Sequence, residues 1–170
     1  GKDEEKIDVT LPDGTVFAGT KGKTSAWDVA ASISKGLADN AVAAMVDGQI
    51  WDLHRALEGN CALRILKFED EEGQEVFWHS SAHILGQALE VEHHALLVHG
   101  PALETGGFFY DACTGSNTIS EQDAKRIEAR MQRITKEKQT FERLVLTKAE
   151  AQAMFSYNPF KLDIIARKVP

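Results

Sequence analysis

A run of four acidic residues closed by a glycine, Glu69-Asp70-Glu71-Glu72-Gly73, constrains this chain more than any other feature. It is a charged joint, and it predicts two modest modules rather than one continuous core. The joint sets them at residues 1–70 and 71–170. Upstream of it, Ile7, Val9 and Leu11 alternate with polar residues, the period of a half-buried strand. Pro12-Asp13-Gly14 is a turn signal, and Thr15–Ala18 is the return strand. Ser25 and Asp28 form a capping box that opens a helix with Ala26, Val29, Ala30 and Ile33 on one face and Gly36 as its C′ residue. Ala41–Val46, the Asp47-Gly48 turn and Gln49–Asp52 read as a hairpin, and Ala62–Leu66 as a last strand. This order is that of a small β-grasp-like module.

Downstream, residues 77–90 read as a helix. Ala95–His99 reads as a strand broken by Gly100-Pro101, and Phe108–Asp111 as another. Ser120 and Asp123 cap a helix with Ile127, Met131 and Ile134 on its core face and Arg126, Arg130 and Arg133 on another. Phe141–Leu146 reads as a short strand. Thr147 and Glu150 cap a third helix, with Ala151, Met154 and Phe155 inward. Tyr157-Asn158-Pro159 stops it, and Phe160–Ala166 reads as a final strand. The expected fold class is α+β, a β-grasp-like domain followed by a mixed α/β portion.

Charge separates the modules as well. Residues 1–75 hold 8 basic and 15 acidic side chains, whereas residues 76–170 hold 11 of each. Within 125–148 there are 8 basic and 3 acidic residues. The overall charge of −7 argues against generic nucleic-acid binding, and the basic stripe leaves a local phosphate-binding role open. No apolar run reaches the roughly 18 residues of a membrane span, so no membrane partner is expected. The N-terminal stretch Gly1–Lys6 lacks the apolar region of a signal peptide. Cys61 and Cys113 lack CxxC spacing and read as reduced thiols in a cytosolic protein.

The chemistry concentrates in Trp78-His79-Ser80-Ser81-Ala82-His83-Ile84-Leu85-Gly86. A spacing of i and i+4 puts both imidazoles on one helix face. Three readings stand: partly buried histidines bonded to neighbours, metal ligands, or a pair that positions water or an RNA end. The motif lacks the Glu that follows the first His in zincins. His93, His94, His99 and Cys113 have no ligand spacing, so no metal is assigned. His93-His94 reads as a solvated loop and His54 as a surface residue of the first module. Ser80 and Ser81 beside His83 lack an orienting acid and do not form a triad. The Arg126, Arg130 and Arg133 stripe is either a solvated face or a weak RNA contact. Lys161, taken alone, is an ordinary surface lysine.

Four segments carry a resemblance: the H-S-S-A-H string with its flanks, Gly107-Phe108-Phe109-Tyr110-Asp111, Lys136–Leu144 and Met154–Lys161. With Leu11-Pro12-Asp13-Gly14 and Val46-Asp47-Gly48 they make the chain resemble the N-terminal part of eukaryotic cytosolic threonyl-tRNA synthetases over nearly its whole length. Residues 7–68 look like the TGS domain and residues 76–170 like the first part of the editing domain. The resemblance implies proofreading. Threonine and serine differ by one methyl, which a binding pocket discriminates by only about 1–3 kcal/mol. It further implies that His79, His83 and Lys161 line a site that hydrolyses seryl-tRNA(Thr), whose mischarged 3′ end is the partner.

The family's Asp-x-Cys…His segment, its class II core and its anticodon domain have no counterpart in this sequence. The resemblance therefore implies a fragment of a cytoplasmic synthetase, without aminoacylation and with weak or no editing by itself. No cofactor is expected in this part. ATP, magnesium and zinc, and the homodimer surface, belong to the family's core. A related H-x-x-x-H helix binds zinc in alanyl-tRNA editing domains. The alternatives are a non-catalytic TGS-containing binding module with a degenerate editing helix and a free-standing trans-editing factor.

Overall fold

A computed structural model describes residues 4–170. The signal-peptide reading of Gly1–Lys6 and the start of the 1–70 module therefore fall partly outside the described residues. The chain divides into two compact units, Gly1–Phe77 and Trp78–Pro170.

The first unit is a five-stranded sheet crossed by a helix. Strands β1 (Lys6–Thr10) and β2 (Val16–Thr20) form the expected antiparallel hairpin, with Val9 opposite Phe17. Helix α1 (Ala26–Ile33) follows, and its capping box forms as the sequence predicts. The Ser25 hydroxyl accepts from the Asp28 N–H, and the Asp28 carboxylate accepts from the Ser25 N–H. Strands β3 (Ala41–Val46), β4 (Gln49–Trp51) and β5 (Cys61–Lys67) complete the order β2-β1-β5-β3-β4. β1 and β5 run parallel, which requires a crossover, and α1 supplies its core-facing surface. Ile7, Val9, Val29, Val46, Leu57 and Leu63 form the core. This is the β-grasp-like arrangement, and with the helices of the second unit the chain is α+β.

Two local expectations fail in this unit. Ile33 is exposed rather than core-facing. Gly36 is not a C′ residue, because α1 ends at Ser34, whose hydroxyl caps a second helix α2 (Lys35–Asn40) by accepting from the Leu37 N–H. A cap that restarts the helix removes the need for a left-handed glycine there.

The charged joint is itself ordered. Asp70 accepts from the Lys67 N–H, and Arg64 pairs with Asp70 at 3.4 Å and with Glu72 at 2.7 Å. Helix α3 runs Glu71–His93, longer than the expected 77–90 at both ends. Glu71 and Glu72 lie in its first turn, where carboxylates face unpaired N–H groups.

In the second unit, β6 (Leu96–His99) pairs antiparallel with β7 (Asp111–Cys113). The strand expected at Phe108–Asp111 is displaced toward the C-terminus. The Leu103 N–H donates to the Gly107 carbonyl, Gly106 and Gly107 take positive φ, and Phe108 keeps one isolated bridge to Ala102. Helix α4 (Glu121–Glu137) forms with the Ser120/Asp123 capping box and buries Ile127 and Ile134. They join Ala88, Leu89, Ala95 and Leu97 in a core flanked by Ile84, Leu85, Tyr110 and Met131.

Phe141–Leu146 forms no strand, and Phe141, Leu144 and Val145 are exposed. The segment is rich in apolar residues, but it pairs with neither strand of the two-stranded sheet. Helix α5 (Lys148–Met154) carries the Thr147/Glu150 box, yet Met154 points outward. The expected strand over Phe160–Ala166 is instead helix α6 (Pro159–Lys168). Asn158 is its N-cap and Pro159 its first residue, a pair that starts a helix as readily as it ends one.

Asn158 is 1% exposed and uses both ends of its amide. Its oxygen accepts from the Phe160 and Lys161 N–H groups at 3.0 and 3.2 Å, and its nitrogen donates to the Leu97 carbonyl of β6 at 2.9 Å. Replacing it with Ala removes a cap, at a cost of about 1 kcal/mol. The same change strands buried polar groups, at a further cost of about 1–3 kcal/mol. In urea unfolding, Asn158→Ala should lose about 2–4 kcal/mol, and Ser120→Ala, at an exposed cap, about 1 kcal/mol.

Candidate functional site

α3 sets the histidine pair. One helical turn separates His79 from His83, and their rings stack with centroids 5.0 Å apart and planes inclined by 23°. Ala82, between them in sequence, is fully buried, so the helix turns its small residue inward and its imidazoles outward.

Tyr110 supports the pair from the side. Its ring meets His83 edge-on, with centroids 6.0 Å apart and planes at 75°. Two glycines make room for it. A Cβ on Gly86 of α3 would lie 2.8 Å from the Tyr110 ring, and one on Gly100, just past β6, would lie 2.3 Å from it. Burial raises the Tyr110 hydroxyl pKa, and the charge of Glu90 adds to the shift. Tyr110 was not among the candidate residues read from the sequence. The small residues Gly86 and Gly100 are its only local signal, and nothing nearby in sequence says which ring fills the notch.

Lys161 lies in the first turn of α6 rather than on a strand, and it is half-buried. Its ammonium donates to the Val98 carbonyl at 3.2 Å. Asn158 and Lys161 thus fasten the start of α6 to two successive carbonyls of β6, Leu97 and Val98. The Lys161 charge also reaches His83. The His83 pKa is lowered from its ordinary 6.5, first by burial, then by the His79 charge, then by Lys161. Helix α3, the Tyr110 ring and the α6 terminus therefore bring a neutral imidazole, a second imidazole and an ammonium into one neighbourhood.

The other candidates do not gather there. Each arginine of the α4 stripe has a carboxylate partner: Arg126 pairs with Asp123, Arg130 with Glu92 of α3 at 2.6 Å, and Arg133 with Glu137 at 3.5 Å. Arg130 is the least exposed of the three and ties α4 to α3. His54 sits on the surface of the first unit against the Trp27 ring. The Nε2 of His93 is buried without a hydrogen-bond partner. Among the described residues no three His, Cys, Asp or Glu side chains come together in a way that could hold a metal ion. Cys61 and Cys113 are free thiols. No helix of the described residues is long and apolar enough to cross a membrane.

Comparison with known proteins places these units. The TGS domain family matches residues 7–67. The chain is 50% identical over 168 residues to the probable cytoplasmic threonine–tRNA ligase 1 of Dictyostelium discoideum, covering 98% of this chain and 23% of that protein. It is 48% identical over 168 residues to the cytoplasmic threonine–tRNA ligase 1 of Homo sapiens, covering 99% of this chain and 23% of that protein. It is 48% identical over 162 residues to the mitochondrial threonine–tRNA ligase 1 of Arabidopsis thaliana, covering 95% and 23% respectively. The chain spans less than a quarter of the length of these relatives. It carries a TGS domain in its first unit and, over nearly its whole length, matches the N-terminal region of eukaryotic threonyl-tRNA synthetases, which are much longer.

Proposed function

We propose that this chain is the amino-terminal part of a cytoplasmic threonyl-tRNA synthetase and supplies part of a hydrolytic site that removes serine from mischarged tRNA(Thr). The observation that carries the reading is the stacked His79–His83 pair with the Lys161 charge acting on His83. Its similarity to threonine–tRNA ligases supports the parent class, and the names of the Dictyostelium and human relatives support the compartment. Residues 71–170 serve as the partial editing module and residues 1–70 as the TGS module.

The chemistry is ester hydrolysis. Water adds to the seryl carbonyl carbon, the carbon–oxygen bond to the terminal ribose breaks, and the ribose oxygen takes up a proton. His79 and His83 bind the ribose and hold the water. A neutral His83 presents a nitrogen lone pair to that water. Lys161 polarises the ester or protonates the departing ribose oxygen. One of the three donors of its ammonium is engaged by Val98, an anchor that fixes its direction. Threonine is refused because its extra methyl clashes where serine fits. No step runs through a metal or cofactor. ATP, magnesium, zinc and the dimer surface are assigned to the synthetase core beyond this segment, and the segment itself is assigned no aminoacylation and weak or no independent editing. Arg126 and Arg133 are assigned weak phosphate contacts, because exposed ion pairs worth about 0–1 kcal/mol exchange readily for phosphate.

In the full-length synthetase carrying these residues, His79→Ala and Lys161→Ala should each slow seryl-tRNA(Thr) deacylation by about 10²–10⁴-fold, the usual worth of a positioned acid or base. Threonylation should be unchanged. Deacylation rates equal to the parent's remove both residues from the mechanism.

The pH dependence has a defined sign. His83 holds its proton less tightly when folded than when unfolded, so the unfolded chain takes up more protons as pH falls below 6.5. The stability contributed by neutral His83 is complete above 6.5 and is lost as pH falls through the lowered value. An NMR titration should place the His83 midpoint below 6.5, and Lys161→Met should move it upward without reaching 6.5, because burial remains the larger cause.

Gly100→Ala tests the Tyr110 support. The added methyl displaces the ring, and the His83–Tyr110 ring-current contact should disappear from the spectrum while the first unit's resonances stay in place.

A further inference from the structure

We propose that a cavity in the first unit binds an alkylammonium ion, the cationic end of a free diamine or of a lysine side chain. The proposal lies wholly within that unit and is independent of the editing reading. The cavity measures about 270 Å³ and sits where the β3–β4 turn meets the loop between β4 and β5. Asp47 of that turn, Gln49 and Trp51 of β4, Glu58 of the loop and Cys61 at the start of β5 line it, with buried Val46 as an apolar wall. Its volume falls just below the roughly 300–1,000 Å³ of sites for larger ligands and suits a short aliphatic chain. The walls are held in place. Asp47 accepts from the Ala62 N–H at 2.8 Å, and the Trp51 indole N–H donates to the Arg55 carbonyl at 3.2 Å.

Three observations select an organic cation. First, two walls of the cavity already hold one. The Arg55 guanidinium lies over the Trp51 ring, 3.4 Å from its centroid, and pairs with Glu58 at 2.8 Å. An aromatic face beside a carboxylate is the arrangement that receives a cation with a carbon stem. Arg55 itself does not line the cavity, so ligand and guanidinium share the ring and the carboxylate without overlapping. Second, no basic side chain lines the space, and residues 1–75 hold 8 basic and 15 acidic side chains, a field that repels anions. Asp47 spends one carboxylate oxygen on Ala62, and among the described residues no hydrogen bond or ion pair engages the other. Third, the Asp47 charge acts on the cavity wall. The Cys61 thiol is pushed up first by burial and then by that carboxylate. A bare metal ion fits less well, because among the described residues no three His, Cys, Asp or Glu side chains gather to hold one.

The test titrates this 170-residue chain at constant ionic strength with 1,4-diaminobutane and, separately, with Nα-acetyl-lysine methylamide. NMR follows the Trp51 indole and the Gly59 amide, both at the cavity wall. The two resonances should shift saturably, and the probe that binds tighter identifies the source of the ammonium. 1-Butanol, a neutral chain of the same length, should leave them in place. Glu58→Gln should weaken diamine binding about two- to five-fold, the worth of one exposed charge pair. Arg55→Met keeps a stem against Trp51 and removes the internal competitor for Glu58, so it should tighten binding about two-fold or more. That sign distinguishes a shared cation site from structural damage, which weakens binding.

The proposal is overturned by the absence of saturable shifts at Trp51 and Gly59 at millimolar probe, or by 1-butanol shifting them as strongly as the diamine. It is equally overturned by undiminished affinity in Glu58→Gln, or by affinity in Arg55→Met no higher than in the unaltered chain. Seryl-tRNA(Thr) deacylation enters none of these measurements, so the editing reading stands or falls separately.

Discussion

The second unit turns on one buried amide. Asn158 joins the start of α6 to the edge of β6 through three hydrogen bonds, and it is almost fully removed from water. A buried amide with both ends satisfied specifies one arrangement, because any other leaves a donor or acceptor stranded. Two consequences follow. The residues after Pro159 become helical, and Lys161 falls in the first turn, within reach of the neighbouring carbonyl. Had the same residues continued as a strand, side chains would alternate between faces and the anchor at Val98 would be lost. The ammonium's position is therefore a product of the cap three residues before it.

The histidine pair depends on packing of a different kind. The i, i+4 stack is local and would form on any helix with this sequence. What makes it a site is the wall behind it. Gly86 and Gly100 leave a notch, Tyr110 fills it, and the ring edge closes one side of His83. This removes water from part of the imidazole, and burial is accordingly the largest cause of its lowered pKa. The glycine in the H-S-S-A-H-I-L-G string thus has a tertiary role, although it sits within a helix that its own propensity would weaken by about 1 kcal/mol.

Legibility in the sequence followed the range of the interaction. The capping boxes at Ser25/Asp28, Ser120/Asp123 and Thr147/Glu150 all form, because a cap is decided by residues three apart. The first unit's strands were readable from their alternation, and its turns from Asp-Gly pairs. Two elements misled. Asn158-Pro159 ends one helix and begins the next, and only the carbonyl of Leu97, 61 residues away, shows which function dominates. Phe141–Leu146 has strand chemistry, but a strand needs a neighbour, and pairing is not written in the segment itself. The imidazole pair was legible from spacing. The Lys161 contact with the Val98 carbonyl was not. Tyr110 was legible by neither route.

The electrostatic outcome is the least intuitive part of the site. His79, His83 and Lys161 are all bases, and three like charges in one neighbourhood repel. Repulsion is relieved most cheaply by the group that gives up its proton at the lowest cost. An imidazole whose ordinary value is 6.5 yields long before an amine whose ordinary value is about 10.4. His83, already disfavoured as a cation by burial, is pushed further toward its neutral, lone-pair-donating form. Burial and neighbouring charge widen a difference that imidazole and amine already have. The proposed ester hydrolysis would use that division as a base side for water and a cationic side for the leaving oxygen. A carboxylate beside the pair would reverse it by pulling the imidazoles back toward their charged form.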